Sequence, residues 1–207
     1  LDGGDVEAIS SQLRPTSERS DPVRLSSNRQ KSFLGAKIYG NGFLLTTEER
    51  DALVASDRKN GKLIFPYLGG QELNSSPTQT HDRFVIDFAD RSLEDAEKWS
   101  ALLKIVRLKV KPERDELKDN PDGRRRKAFW WQFGRSTPAL SDALAPLSRC
   151  LAVARTTKHL AFAFQPPGRI FSENLVVFPD DSIAFFGVMQ SRIHAAWVSL
   201  TSSTLRN

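Results

Sequence analysis

A chain of 207 residues with 39% hydrophobic and 27% charged side chains has the make-up of one folded domain in water, neither disordered nor collagen-like. Its single cysteine, Cys150, excludes an intrachain disulfide and a cysteine-built zinc site, and its longest uncharged apolar stretch, residues 183–190, is far too short to span a bilayer. The net charge of +5 is unevenly spread: residues 1–97 carry −4, residues 98–135 carry +7 and residues 136–207 carry +2.

The chain opens Leu1-Asp2-Gly3-Gly4, with neither a methionine nor an apolar signal run, and we read it as a piece of a longer cytoplasmic protein. Residues 1–31 have only Val6, Ile9, Leu13, Val23 and Leu25 as large apolar anchors, which predicts a loosely held arm or linker with one short helix near Val6 to Leu13. The globular part then covers residues 32–207. Residues 35–45 read as two short strands around the turn Gly40-Asn41-Gly42, because glycine and asparagine tolerate the positive φ of a tight turn. Thr46 and Glu49 have the spacing of a capping box, and the helix they start should end at Asn60-Gly61. Residues 63–68 and 83–88 read as strands. Ser92 and Asp95 start a second helix, along which Leu93, Ala96, Trp99, Leu103, Val106 and Val110 recur at helical spacing until Pro112 interrupts or kinks it. Asn120-Pro121-Asp122-Gly123 has the composition of a turn, and residues 138–147 that of a short helix. The last third predicts strands at 151–154, 160–164, 175–178 and 183–185. A final helix follows, with Phe186, Met189, Ile193, Trp197 and Leu200 on one buried face. Trp99 and Trp197 are thus expected as core anchors. The pattern is that of an α+β fold with mostly antiparallel or mixed β-sheet and four or five helices.

Groups for catalysis are missing. No glycine-rich phosphate loop and no Gly-x-Ser-x-Gly elbow occurs. His81, His159 and His194 have no His or Cys partner at helical ligand spacing. Pro179-Asp180-Asp181 opens like a nuclease carboxylate motif, but no acidic-x-Lys follows it, and it reads as a turn. Most other carboxylates sit at helix starts, where capping and the helix dipole account for them. We assign this chain no catalytic residue, no metal and no cofactor of its own.

The concentration of positive charge points instead to a polyanionic partner, although a solvated basic helix face would give the same sum. Arg124, Arg125, Arg126 and Lys127 stand directly before Phe129, Trp130, Trp131 and Phe133. Arginine makes two-pronged contacts to phosphate or guanine, and aromatic rings can stack on bases. We read the cations as phosphate contacts and the two tryptophans as core anchors. Arg155, Thr156, Thr157, Lys158 and His159 form a short, donor-rich segment between two apolar strands, suited to entering a groove or serving as a plain hairpin loop. Gln190 and Arg192, with His194, form the polar start of the last helix, where they would face a base edge or cap and pack.

Several blocks in order carry a family resemblance. They are Tyr39-Gly40-Asn41-Gly42-Phe43, then Phe65-Pro66-Tyr67-Leu68-Gly69-Gly70-Gln71-Glu72-Leu73-Asn74, then Phe84-Val85-Ile86-Asp87-Phe88. Val110-Lys111-Pro112-Glu113-Arg114, Trp130-Trp131-Gln132-Phe133-Gly134 and Gly187-Val188-Met189-Gln190-Ser191-Arg192-Ile193-His194-Ala195-Ala196-Trp197 follow. Over about residues 33–200 the chain resembles the target-recognition domain of MmeI-like (type IIG/IIL) restriction–modification enzymes and related adenine-specific DNA methyltransferases of bacteria. The resemblance implies that residues 32–207 recognise a specific sequence in double-stranded DNA without catalysis of their own. It further implies a methyltransferase domain earlier in the same chain, which uses S-adenosylmethionine on the N6 of a flipped adenine, and in some parents a nuclease domain. The Asn-Pro-Pro-Tyr type motif of that domain is not found here: Gln165-Pro166-Pro167-Gly168 has neither the asparagine nor the aromatic. No membrane partner is implied. Two other classes stay open on the residues alone. One is an RNA- or single-strand-binding module using Trp130 and Trp131 as exposed stacking platforms; the other is a protein-interaction domain of a larger enzyme.

Overall fold

A computed structural model describes residues 5–9, 23 and 25–201, and the strand-forming runs of the sequence build two four-stranded sheets there. In chain order the elements are β1 (Phe33–Leu34), β2 (Leu44–Leu45), α1 (Thr47–Ser56), β3 (Ile64–Leu68), α2 (Gly70–Ser75) and β4 (Arg83–Ile86). Then come α3 (Leu93–Glu97), α4 (Ser100–Lys109), α5 (Lys111–Asp115), α6 (Pro121–Ala128), α7 (Pro138–Leu144) and β5 (Cys150–Ala154). The chain ends with β6 (Ala163–Gln165), β7 (Ile170–Phe171), β8 (Leu175–Phe178), α8 (Ile183–Met189) and α9 (Arg192–Thr201). The first sheet has the order β1-β8-β5-β6 and is antiparallel throughout. The second has the order β2-β4-β3-β7, antiparallel except for the parallel pair β3–β7. The architecture is α+β with antiparallel and mixed sheets, as the sequence pattern implies.

Side-chain alternation explains how one strand serves two cores. Every residue of β5 is buried. Cys150, Ala152 and Ala154 pack on one face with Leu68, Leu140, Leu144 and Leu175, while Leu151 and Val153 pack on the other with Phe162. Around the second sheet, Leu102, Leu103 and Val106 of α4 recur at helical spacing and close a core with Phe43, Val85, Ile86 and Phe88. Trp130 and Trp131 belong to that core, at 7% and 6% exposure, with their rings edge to face. They are anchors, and the stacking-platform reading falls with them.

Some elements differ from the expectation, each for a physical reason. Among the described residues there are nine α-helical segments rather than four or five, because two expected long helices are broken and α2 and α6 are additional. One breaks at Trp99, whose ψ of 59° is not helical, and again at Val110, after which Pro112 sits in the first turn of α5, where its missing N–H is harmless. The other breaks between α8 and α9 at Gln190 and Ser191. Residues 183–185 are the start of α8 rather than a strand: the Ser182 hydroxyl accepts from the Ala184 and Phe185 N–H groups and caps it. Asn120-Pro121-Asp122-Gly123 starts a helix rather than making a turn. The Asn120 side chain accepts from the Gly123 N–H at 2.8 Å, and Pro121 pre-sets the first helical φ. Residues 35–45 form no hairpin; β1 pairs with β8 and β2 with β4, across a 3-10 turn at Asn41–Phe43. The strand expected at 160–164 begins only at Ala163, and β7 has no counterpart among the expected strands. Residues 5–9 contain no helix, and the rest of the helix expected near Leu13 lies outside the described residues. Trp99 is half-buried, its indole N–H bonded to the Lys59 carbonyl at 3.0 Å. Trp197 and Ile193 are 56% and 84% exposed, so α9 has no buried stripe of the kind expected.

Candidate nucleic-acid interface

The two sheets meet along a seam made by residues 35–37, 68–70 and 171–174. The Ala36 N–H donates to the Phe171 carbonyl at 2.7 Å, Ser172 to Leu68 at 2.9 Å and Glu173 to Ala36 at 3.0 Å. A Cβ on Gly35 would lie 2.2 Å from the Phe171 and Ser172 carbonyl oxygens, so only glycine lets the backbones approach this closely. A cleft of about 420 Å³ opens at the seam, lined by Tyr39, Asn41, Gln71, Arg83 and Asn174 among others. Its rim is strained: Tyr39 and Gly40 both have positive φ, 49° and 109°. Such backbone is costly for tyrosine and is held by its surroundings.

The Arg-rich helix α6 lies on one side of this cleft. The Arg126 guanidinium stacks 4.5 Å from the Tyr39 ring centre and pairs with Asp122 at 2.6 Å. The Arg125 side chain donates to the Gly134 carbonyl at 2.8 Å, and Arg124 pairs with Asp119 at 2.7 Å. Arg124 and Arg125 are exposed, while Arg126 and Lys127 are half-buried. Beyond α6 the chain is stitched back to the seam, since Lys37 and Arg135 exchange backbone hydrogen bonds at 3.0 and 3.1 Å. On the other side of the cleft stands the loop after β5. Arg155 donates to the Glu173 carbonyl at 3.3 Å, and Asn74 to the Thr156 carbonyl at 3.4 Å. The Thr157 hydroxyl donates to the His159 carbonyl at 2.8 Å and closes the loop on itself. Arg155, Thr156, Lys158 and His159 are all exposed. A chain of contacts therefore runs from Arg126 through the side chains of Tyr39, Lys37 and Glu173, and ends at Arg155 on the Glu173 backbone carbonyl.

Gln190 and Arg192 sit elsewhere. The Gln190 amide holds residues 160–162, accepting from the Phe162 N–H at 2.9 Å and donating to the Leu160 carbonyl at 3.1 Å. His194 bonds the Met189 carbonyl at 2.7 Å. These groups cap and pack beside the outer core of the first sheet. Arg192 is exposed at the start of α9, and no contact among the described residues joins it to the seam.

Electrostatics within the seam are balanced by pairing. Glu72, 5% exposed, accepts from the Gly69 N–H at 3.0 Å and from the Arg83 guanidinium. Glu173 pairs with Lys37 at 2.9 Å, a bond that raises the Lys37 ammonium above its ordinary value. Arg114, 2% exposed, ties both sides of the rim together: it donates to the carbonyls of Phe129, Gln132 and Ile38. Burial, aided by the charges of Arg126 and Arg125, pulls its guanidinium down to about 10. Sequence reasoning missed Lys37, Asn41, Gln71, Arg83, Arg135 and Asn174, because they join the seam only through pairings distant in sequence. Among the described residues no three His, Cys, Asp or Glu side chains cluster to hold a metal, and no helix is long and apolar enough to cross a membrane.

The chain matches the model of the family described as "MmeI, target recognition domain" over residues 17–207. None of the curated protein sequences matches it. Among solved structures it is similar to the type IIL restriction-modification enzyme MmeI in complex with DNA, with a TM-score of 0.73 and 17% sequence identity. The match covers 97% of this chain and 26% of the other, so the chain spans about a quarter of that enzyme's length. An identity of 17% establishes the shared fold, and the family model, which covers nearly every residue, establishes that this chain belongs to the MmeI target recognition domain family.

Proposed function

We propose that this chain is the sequence-specific, double-stranded DNA recognition module of a bacterial cytoplasmic restriction–modification enzyme. The reading is carried by one observation: a cationic helix and a donor-rich loop, far apart in sequence, flank one cleft at the junction of two sheets. Arg124, Arg125 and Lys127 of α6, with Arg135 and Lys37, supply phosphate contacts, which give affinity by releasing counterions and carry no sequence information. Arg155, Thr156, Lys158 and His159 enter a groove and contact base edges. Catalysis belongs to a methyltransferase domain of the same longer chain, which uses S-adenosylmethionine to methylate the N6 of an adenine flipped out of the duplex; a nuclease domain accompanies it only in parents that also cleave.

A protein contact is favoured by a different observation. Ile183, Val188, Ile193 and Trp197 stand exposed, and residues 183–201 contain one charged side chain, Arg192. We assign these exposed side chains to contact with the methyltransferase domain of the same chain. Fluorescence-anisotropy titration of the 207-residue protein at low salt tests the main reading, with duplex DNA and single-stranded RNA of equal length as ligands. Tighter binding to the duplex, weakening steeply with salt, is expected. No duplex binding, or tighter binding to the RNA, would overturn the reading.

A further inference from the structure

We propose that the cleft between the two sheets reads base edges through three side-chain amides, those of Asn41, Gln71 and Asn174. This rests on the DNA-recognition reading above and assigns it residues that the charge pattern does not reveal. All three side chains line the cleft, and all three residues are exposed. None of the three amides has a hydrogen-bond partner among the described residues. Several amides elsewhere are engaged: Asn60, Asn120 and Gln132 bond backbone groups, Gln190 bonds two, and Gln165 accepts from Arg169. The amides of Asn28, Gln30 and Gln79 are unengaged as well among the described residues, but none of these lines the cleft, as Asn41, Gln71 and Asn174 do.

Their backbones are fixed although their side chains are free. Asn41 opens the 3-10 turn directly after the positive-φ pair Tyr39-Gly40. Gln71 sits at the start of α2, where the neighbouring Glu72 bonds back to the Gly69 N–H at 3.0 Å. Asn174 donates its backbone N–H to the Ser172 hydroxyl at 3.2 Å. A free amide on a rigid mount is what two-pronged base reading requires, and Asn or Gln matches the adjacent acceptor and donor of adenine N7 and N6 in the major groove. Two carboxylates near the cleft are already paired, Glu72 with Arg83 and Glu173 with Lys37, while a third, Glu113, lies beside Gly40 at the rim. The cations of α6 then hold phosphates on one side, while the amides of the cleft and the loop of Arg155 on the other side face bases.

The test is selection from a random duplex library by the 207-residue protein, comparing the unaltered chain with the triple variant Asn41→Ala, Gln71→Ala, Asn174→Ala. Melting is followed to confirm that each variant folds. The unaltered chain should enrich a motif containing adenine. The triple variant should keep the same dependence of affinity on salt and lose enrichment at one or more motif positions by about tenfold. Single variants Gln71→Glu and Asn174→Asp, which replace a donor–acceptor pair by acceptors, should move the preference at one position from adenine toward cytosine. Enrichment of an identical motif by the triple variant would overturn the inference while leaving DNA recognition intact. A flatter salt dependence in the triple variant would also overturn it, since the amides would then be contacting phosphates. If the unaltered chain binds no duplex or enriches no motif, the DNA-recognition reading itself fails and this inference with it.

Discussion

Arg114 shows how much one buried side chain can organise. No carboxylate pairs with it among the described residues; its guanidinium satisfies three carbonyls and stacks 5.3 Å from the Phe43 ring centre. Those carbonyls belong to the Tyr39 rim and the tryptophan turn, so the residue sets the spacing of the seam. Arg114→Met would leave several buried acceptors unpaired and should cost about 3 kcal/mol in urea unfolding. Arg114→Lys should rescue little, because an ammonium cannot reproduce a planar fork of donors. Cys150 gives a second check at this scale. It is fully buried, its thiol lies 3.5 Å from the Gln165 carbonyl, and burial pushes its pKa up to about 12. A thiol reagent at pH 8 should therefore leave the folded protein unlabelled and modify it on unfolding, because the thiolate is the reactive form. Rapid labelling under native conditions would contradict the buried placement of β5.

At the level of elements, what is legible in the sequence is what local chemistry decides. The Thr46–Glu49 capping box is present in both directions, at 2.9 and 3.2 Å, and β3, β4, β5 and β8 lie where their apolar runs stand. Pairings are not legible, because residues 35–45 look like a hairpin while their partners lie some 40 and 140 residues away. Helix breaks are not legible either, since periodicity continues across Trp99 and Gln190 although the backbone does not. These differences yield measurable contrasts. Trp130→Ala should cost about 3–5 kcal/mol, the usual penalty for truncating a buried large aromatic, whereas Trp197→Ala should cost less than about 1 kcal/mol in the isolated chain. Equal penalties would place Trp197 in a core. Asn120→Ala removes the cap of α6 and should cost about 1 kcal/mol.

The whole molecule brings together a charge pattern visible in composition and a cleft that is not. The excess of positive charge in residues 98–135 marks α6 from the sequence alone, but Lys37 and, across the cleft, Arg155 are brought there by pairings between strands distant in sequence. The arginines of α6 are also unequal. Arg126, stacked on Tyr39 with its side chain 17% exposed, braces the rim, while Arg124, whose side chain is 59% exposed, faces solvent. Substituting Arg126 should therefore disturb folding as well as binding.

The most direct test of DNA recognition at the seam is the salt dependence of duplex binding by the variant Arg124→Ala, Arg125→Ala, Lys127→Ala, measured by anisotropy between low and moderate salt. The slope of log affinity against log salt should fall in magnitude by about 0.9 for each phosphate that the variant no longer neutralises, with all sequences weakened alike. An unchanged slope in a variant whose melting is intact would remove α6 from the interface and contradict the account.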